Sequence, residues 1–343
     1  GKPKGVLYRN NYTLSGISVG SKLKKFGFNE PNHKIYCPLP LFQSFPKYFI
    51  LIPALYYKSS VIIADRFDVL KFWNDITKYN PNGFCYYGAY FLDLMNQEPQ
   101  VSDRKHSLEY VFGFGAFKED WEAFERRFGI QIIEGWSLVE GIGFTINHLG
   151  SKGGKAGSVG VPARGYELKI VDSDGKELPP GRSNIGEIVS RTKLPIKLEY
   201  YNLEIEPDTT IGEDRWIYTG DYGYRDKDGF VYFLGRKSDM IKIEKEIFFA
   251  SDIEKVANSH PLIVNSAAIK VTDKSTSRKY LKLWIVLKEK AAIILAEFKS
   301  YLKENLAYFM VPRFIEVTKE LPTNANKFVQ KFILREEWRD KIG

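Results

Sequence analysis

Between Lys34 and Gly135 the sequence alternates short apolar runs with helix-length amphipathic stretches, and this alternation restricts the fold more than any other feature. Ser60–Ala64 is a continuous apolar run and reads as a buried strand. From Asp68 to Tyr79, Val69, Phe72 and Ile76 recur at spacings of three and four, which predicts a helix with Asp68 near its start. Gly83–Tyr87, Leu108–Phe112 and Ile130–Ile133 read as further strands, and Trp121–Phe128 as a helix. Short apolar strands separated by helices call for crossover connections, hence a largely parallel sheet covered by helices.

After Gly150 the pattern changes. Glycine and proline become dense, and the expected strands Tyr166–Val171, Glu187–Ser190 and Tyr232–Gly235 are short. Turn signals such as Asp174-Gly175 and Asp228-Gly229 separate them. From Asp239 onward a third pattern begins. Ser251–Asn258 and Ala291–Asn305 read as helices; Ala267–Val271, Lys282–Leu287 and Phe314–Val317 read as strands. The expected fold class is therefore α/β over 1–150, a β-barrel-like subdomain over 151–238, and a small α+β C-terminal domain over 239–343. A chain of 343 residues has room for two or three such domains. There is no internal repeat.

Fifty Lys+Arg against 42 Asp+Glu leave a formal charge of +8. That excess is either a solvated basic surface or an attraction for polyanions. The lysines are spread along the chain and no nucleic-acid module is present, which argues against a nucleic-acid partner. Cys37 and Cys85, the only cysteines, lack metal-ligand spacing, and so few thiols fit a reducing compartment without a disulfide framework. Gly1–Val6 is not a signal peptide, and the apolar stretch Tyr48–Tyr57 contains Pro53 and is too short to span a bilayer. The expectation is a cytoplasmic protein with no membrane insertion.

Five short segments carry the chemistry. Gly1-Lys2-Pro3-Lys4-Gly5 combines glycines, which let backbone amides approach phosphate oxygens, with two cations; a surface turn reads the same way. Tyr218-Thr219-Gly220-Asp221 follows the apolar Trp216-Ile217, and a carboxylate at a strand end can take both hydroxyls of a ribose or close an Asx turn. Gly235-Arg236-Lys237-Ser238-Asp239 ends the β-rich region where a hinge would fall. Glu140 is a loop carboxylate able to hold Mg²⁺ or merely a surface charge, and Lys327 lies in a polar loop near the carboxy terminus.

Taken in order, these segments resemble the adenylate-forming superfamily of acyl-CoA synthetases, luciferases and peptide-synthetase adenylation domains. The resemblance runs from Gly1 to about Arg335. It comes nearest to the crotonobetaine/carnitine–CoA ligase branch through Pro38–Phe42, Glu125–Gly129 and Trp216–Asp226. It implies roles residue by residue. Lys2, Lys4 and Gly5 match the end of the loop that holds the ATP β,γ-phosphates; the front of that loop and the lobe before it have no counterpart in this sequence. Gly113, Gly115 and Ala116 match the strand end along the adenine. In Trp136-Ser137-Leu138-Val139-Glu140, Trp136 would stack on adenine and Glu140 would hold Mg²⁺. Asp221 matches the ribose-binding aspartate, Arg236 the arginine beside it, Asp239 the hinge, and Lys327 the lysine that contacts the acid carboxylate and α-phosphate.

The implied activity is ATP-dependent ligation of a small carboxylic acid to coenzyme A, with ATP, Mg²⁺ and CoA as cofactors. The sequence departs from the family pattern at Val139, where a Thr is usual, at Gln43, usually His, at Asn326, usually Gly, and at Glu244-Lys245, usually two glycines lining the pantetheine tunnel. Val139 and Glu244-Lys245 keep two alternatives open: an adenylating enzyme with a non-CoA acceptor, and a homologue that binds nucleotide without turnover. Tyr86, Tyr87, Tyr90, Phe112 and Phe114 fall in segments that flank the family's acyl pocket, as core packing or as an aromatic cage for a quaternary ammonium.

Overall fold

Asp68 accepts a hydrogen bond from the Leu70 amide at 3.1 Å and so starts the helix that its periodicity predicts; Asn80, with φ of 51°, ends it. That helix is one of the crossovers of a parallel sheet. The computed structural model describes residues 5–7, 12–116, 118–147, 154–193, 200–201, 210–211, 215–243, 246–272, 279–324 and 328–341. Lys2, Lys4, Glu244, Lys245, Asn326 and Lys327 lie outside the described residues. The chain forms two compact units, Lys2–Phe233 and Leu234–Gly343.

In the larger unit a two-residue strand β1 (Gly5–Val6) pairs antiparallel with β11 (Tyr200–Tyr201). A seven-stranded sheet follows, made of β2 (Lys34–Cys37), β3 (Ser60–Ile63), β4 (Gly83–Tyr87), β5 (Tyr110–Phe114), β6 (Gln131–Ser137), β7 (Phe144–Ile146) and β8 (Val161–Pro162). Its order is β3-β2-β4-β5-β6-β7-β8; the strands from β3 to β6 run parallel, and β7 and β8 are antiparallel additions. The helices of this region are α1 (Tyr12–Gly20), α2 (Ile52–Tyr57), α3 (Val69–Tyr79), α4 (Gly88–Met95) and α5 (Lys118–Phe128). A π-helix over Phe45–Leu51 leads into α2. The core is heavily aromatic: Phe72, Phe84, Tyr86, Phe91, Tyr110, Phe112, Phe124 and Phe144 are fully buried.

Two expectations shift here. The apolar run Ser60–Ala64 reads as a buried strand, but β3 is the last strand of its sheet and Ile63 is 54% exposed. An apolar run predicts burial on both faces, yet a sheet edge has a neighbour on one side only. The strand expected at Leu108–Phe112 begins instead at Tyr110, because pairing of Gly83 with Tyr110 sets the register.

The second sheet of this unit is antiparallel. It contains β9 (Tyr166–Val171), β10 (Gly186–Thr192), β12 (Thr210–Ile211) and β13 (Ile217–Arg225), in the order β12-β13-β10-β9, with β14 (Val231–Arg236) also paired to β13. This sheet lies within the stretch expected to be β-rich after Gly150, although β8 of that stretch joins the seven-stranded sheet instead.

The smaller unit opens with a hairpin not foreseen from the sequence, β15 (Met240–Ile243) and β16 (Glu246–Phe249). Its main sheet is β17 (Ile263–Thr272), β18 (Lys279–Leu287) and β19 (Phe314–Thr318), and its helices are α6 (Ala250–Asn258), α7 (Leu295–Asn305) and α8 (Lys331–Lys341). Side chains alternate across β17. Ala268 joins Ile253, Leu283, Phe298 and Leu302 on one face, while Ala267, Ile269 and Val271 join Trp284 and Leu334 on the other. Helices therefore cover both faces. The helix expected from Ala291 starts at Leu295. Among the described residues, no helix is long and apolar enough to cross a membrane.

Candidate active site

The connections of the parallel sheet leave β2 in opposite directions, so the strand order reverses between β2 and β4. At such a switch point the loops beyond the carboxyl ends of the strands diverge and open a crevice. Gln43 follows β2 and Tyr87 ends β4; the Tyr87 hydroxyl donates to Gln43 Oε1 at 2.6 Å. Further along the same edge lie Gly113 at the end of β5, Gly115 and Ala116 just beyond it, and Ser137 to Glu140 at and beyond the end of β6. Gly113 is required by close approach: a Cβ there would lie 2.1 Å from the Tyr86 carbonyl oxygen.

Glu134, within the apolar strand β6, organises this edge. It is 2% exposed, and both carboxylate oxygens are used. Oε1 accepts from the Gly115 amide at 2.5 Å; Oε2 accepts from the Ala116 amide at 3.0 Å and from the Tyr86 hydroxyl. Strand β4 and the turn after β5 thus converge on one carboxyl of β6. Burial raises its pKa from 4.5 to about 8, against the downward pull of the Tyr86 hydroxyl and the two amides. Burial, and then the Glu134 charge, hold the Tyr86 hydroxyl well above its ordinary value. Glu134 belongs to none of the motifs read from the sequence, although a carboxylate in the run Ile132-Ile133-Glu134-Gly135-Trp136 is itself a signal, since buried acids are rare unless partnered.

Asp221 is positioned by a bulge. Glu187 pairs with Tyr222 and Val189 with Tyr218, so the single residue Ile188 of β10 faces Thr219, Gly220 and Asp221 of β13. Such an irregularity bends its strand and re-aims side chains. Gly220 has φ of 71°, which favours glycine at this position. Three hydrogen bonds staple the bulge: Thr219 Oγ1 donates to the Ile188 carbonyl at 2.6 Å, the Gly220 amide to Glu187 Oε1 at 2.9 Å, and the Asp221 amide to Thr219 Oγ1 at 3.1 Å. Asp221 therefore sits in the middle of β13, where the sequence suggested a strand end or an Asx turn. It is 4% exposed.

The bulge brings Asp221 to Trp136. The indole Nε1 donates to Asp221 Oδ2 at 2.7 Å, and Trp136 is itself buried. Its six-membered ring packs over Gly143, where a Cβ would lie 2.7 Å from Cζ3. Gly115 and Ala116, from one segment singled out in the sequence, are thus tied to β6 through Glu134, and Trp136 and Asp221, from two others, are joined through the indole. Ser137 and Glu140 follow Trp136, with Glu140 half-buried in the turn before β7. Gly5 lies in the short β1–β11 ribbon.

Arg236 and Asp239 belong to the smaller unit. Arg236 ends β14 and is exposed; the Asp239 carboxylate pairs with the Arg335 guanidinium of α8 at 2.6 Å. Among the described residues no cluster of three or more His, Cys, Asp or Glu forms a metal site. One or two carboxylates suffice for Mg²⁺ that arrives with nucleotide phosphates, because the ion completes its shell with phosphate oxygens and water. The aromatics near the crevice are packing residues. Tyr86 and Phe112 are fully buried, Tyr90 stacks on Phe67 at 4.1 Å, and Phe45 packs against Tyr87, Phe112 and Phe114.

Known proteins resemble this chain in sequence and in fold. The crotonobetaine/carnitine–CoA ligase of Escherichia fergusonii is 30% identical over 281 residues, covering 80% of this chain and 53% of the relative. The chain thus spans about half the length of the curated relatives it matches. The O-succinylbenzoate coenzyme A synthetase of Bacillus subtilis, solved in complex with ATP and magnesium ion, superposes with a TM-score of 0.79 at 26% identity, over 99% of this chain and 68% of that one. ATP-bound MatB from Rhodopseudomonas palustris gives a TM-score of 0.84 at 22% identity, covering 100% of this chain and 67% of that one, a likeness of fold. Residues 252–327 match the C-terminal domain of the AMP-binding enzymes. Residues 1–200, more than half of the sequence, match the AMP-binding enzymes themselves, and the chain belongs to that family.

Proposed function

We propose that the protein is an ATP-dependent carboxylic acid–CoA ligase working in two half-reactions. The observation that carries this reading is the buried Asp221 carboxylate, brought by a stapled bulge to the Trp136–Glu140 segment at the crevice of the parallel sheet. That is where a nucleotide would bind in a doubly wound sheet, with Asp221 accepting from the ribose hydroxyls. The curated relatives are acid–CoA ligases, which supports the same chemistry here.

In the first half-reaction a carboxylate oxygen of the acid attacks the α-phosphorus of ATP. A new P–O bond forms, the bond to the β-phosphate oxygen breaks, and pyrophosphate leaves. Lys327 is proposed to donate to the carboxylate and α-phosphate oxygens, where negative charge accumulates. Glu140 would hold the Mg²⁺ that neutralises phosphate charge. Gly113, Gly115 and Ala116 would flank the base, Trp136 and Ser137 would adjoin the nucleotide, and Lys2, Lys4 and Gly5 would reach the outer phosphates. In the second half-reaction the CoA thiolate attacks the acyl carbonyl carbon and expels AMP. Asp239 is the proposed hinge of a C-terminal domain running over 239–343, and Arg236 is a proposed nucleotide-binding residue.

The acid is proposed to be small, in the range of the carnitine-like acids named for the relatives. The tight aromatic packing gives no support to a cage for its ammonium group. Cys37 and Cys85, both free and buried, suit the proposed cytoplasmic setting. Glu244 and Lys245, in place of the usual glycines, favour a second reading in which the acyl group passes to another nucleophile. One experiment separates the two. The full-length protein is incubated with ATP, Mg²⁺ and a panel of carboxylic acids, with and without CoA. Acid-dependent AMP together with acyl-CoA supports the ligase; acyl-adenylate that CoA does not consume supports the other acceptor; no acid-dependent AMP refutes both.

A further inference from the structure

Trp136 stands at the aromatic position of its motif, and its indole adds to the aromatic face a second property, a fixed N–H donor. Its target is a carboxylate 85 positions away in sequence, on another sheet, and both side chains are buried. A carboxylate has about four acceptor positions, and it turns about its last torsion unless something holds it. Indole can only donate, so the contact has one polarity: the ring nitrogen takes Oδ2 at 2.7 Å and fixes the carboxylate plane. The indole cannot easily move away, because glycine at position 143 is the one residue type that leaves room beneath its six-membered ring, and β6 pairs Trp136 with Thr145 of β7. On the Asp221 side, the Thr219 and Glu187 hydrogen bonds hold the backbone of the bulge.

We infer that Trp136 is a specificity-determining residue for the sugar of the nucleotide: its indole N–H orients Asp221 so that the carboxylate accepts from ribose hydroxyls and discriminates against a deoxyribose. This rests on the reading of Asp221 as the ribose acceptor. Trp136 acts here through Asp221, as a positioning residue. A ring that only packed beside the base would leave sugar selectivity untouched when its N–H is removed.

The test uses the full chain and two replacements. Trp136→Phe removes the donor and part of the ring. Incorporation of 3-benzothienylalanine at position 136 keeps the bicyclic shape and replaces N–H by sulfur, so folding is preserved if the Phe variant fails. Binding of ATP and of 2′-deoxy-ATP is measured calorimetrically for these proteins and for Asp221→Ala. The expected result is a discrimination ratio, Kd for 2′-deoxy-ATP over Kd for ATP, that falls by about tenfold in both Trp136 replacements, the worth of one hydrogen bond to a charged group. Asp221→Ala should abolish the discrimination. A benzothienylalanine protein with the parent ratio, alongside an Asp221→Ala protein that has lost it, overturns the role of Trp136 while leaving Asp221 as ribose acceptor. An Asp221→Ala protein with the parent ratio overturns the Asp221 reading, and this inference with it.

Discussion

Glu134→Gln should remove Glu134's own contribution to the pH dependence of stability between about pH 5 and pH 8, a contribution opposite in sign to that of buried His33, whose pKa is lowered from 6.5 to about 4. The folded protein holds the Glu134 proton up to about pH 8, whereas an ordinary glutamate releases it near 4.5. The sign follows directly: a carboxyl whose pKa is raised on folding contributes its stability below the unfolded value and loses it as pH climbs towards the folded one. In that window Glu134 holds more protons in the folded than in the unfolded state, so its contribution to stability falls by up to about 1.4 kcal/mol per pH unit. From pH 5 to pH 7.5 this amounts to about 3 kcal/mol, all of which a glutamine, having no proton to lose, should not show. The substitution also carries a constant cost. In the protonated acid, Oε2 can donate to the Tyr86 hydroxyl and still accept from the Ala116 amide; an amide nitrogen there donates only. The Ala116 N–H would lose its acceptor, at about 1–3 kcal/mol. Wild type should therefore be the more stable at pH 5, with the difference shrinking or reversing by pH 8. Urea unfolding across that range, followed by tryptophan fluorescence, measures it. Curves for wild type and variant that run parallel would show that Glu134 does not titrate there, and the reasoning from its burial would fail.

Other outcomes follow from single residues. Asp221→Ala should raise the KM for ATP by the equivalent of about 1.5–3 kcal/mol per hydrogen bond lost; an unchanged KM would leave Asp221 a structural member of its bulge. Lys327→Ala should slow acyl-adenylate formation about 10²–10³-fold while sparing thioester formation from supplied acyl-adenylate, and equal losses in both steps would remove Lys327 from its proposed role. Gly113→Ala places a Cβ 2.1 Å from a backbone oxygen that has no rotamer with which to yield. Parting β4 from β5 should lower stability by about 1–3 kcal/mol; a thermal midpoint equal to that of wild type would contradict a clash between these two strands.

Much of this arrangement was legible in the sequence, for reasons that vary by residue. The helix from Asp68 was readable because cap and periodicity are local, and Gly83–Tyr87 because its ends are marked by turn residues. The Thr219-Gly220-Asp221 segment was readable as a ribose candidate, but its bulge was not, since the bulge depends on Glu187 and Ile188 over thirty residues earlier. The edge position of β3 depends on strand order, which no local pattern encodes. Glu134 illustrates a missed signal: the run around it reads as a buried strand, and a buried strand with an acid in it requires partners. Those partners, Tyr86, Gly115 and Ala116, come from β4 and from the turn after β5, so the sequence could raise the question without answering it.

The most direct test of the proposed ligase chemistry is acid-dependent exchange of labelled pyrophosphate into ATP by the full-length protein, without CoA. Reversible acyl-adenylate formation predicts exchange that requires both the acid and Mg²⁺ and that falls sharply in Asp221→Ala. Exchange that stays absent across a broad panel of carboxylic acids, in a protein that binds ATP by calorimetry, would contradict it.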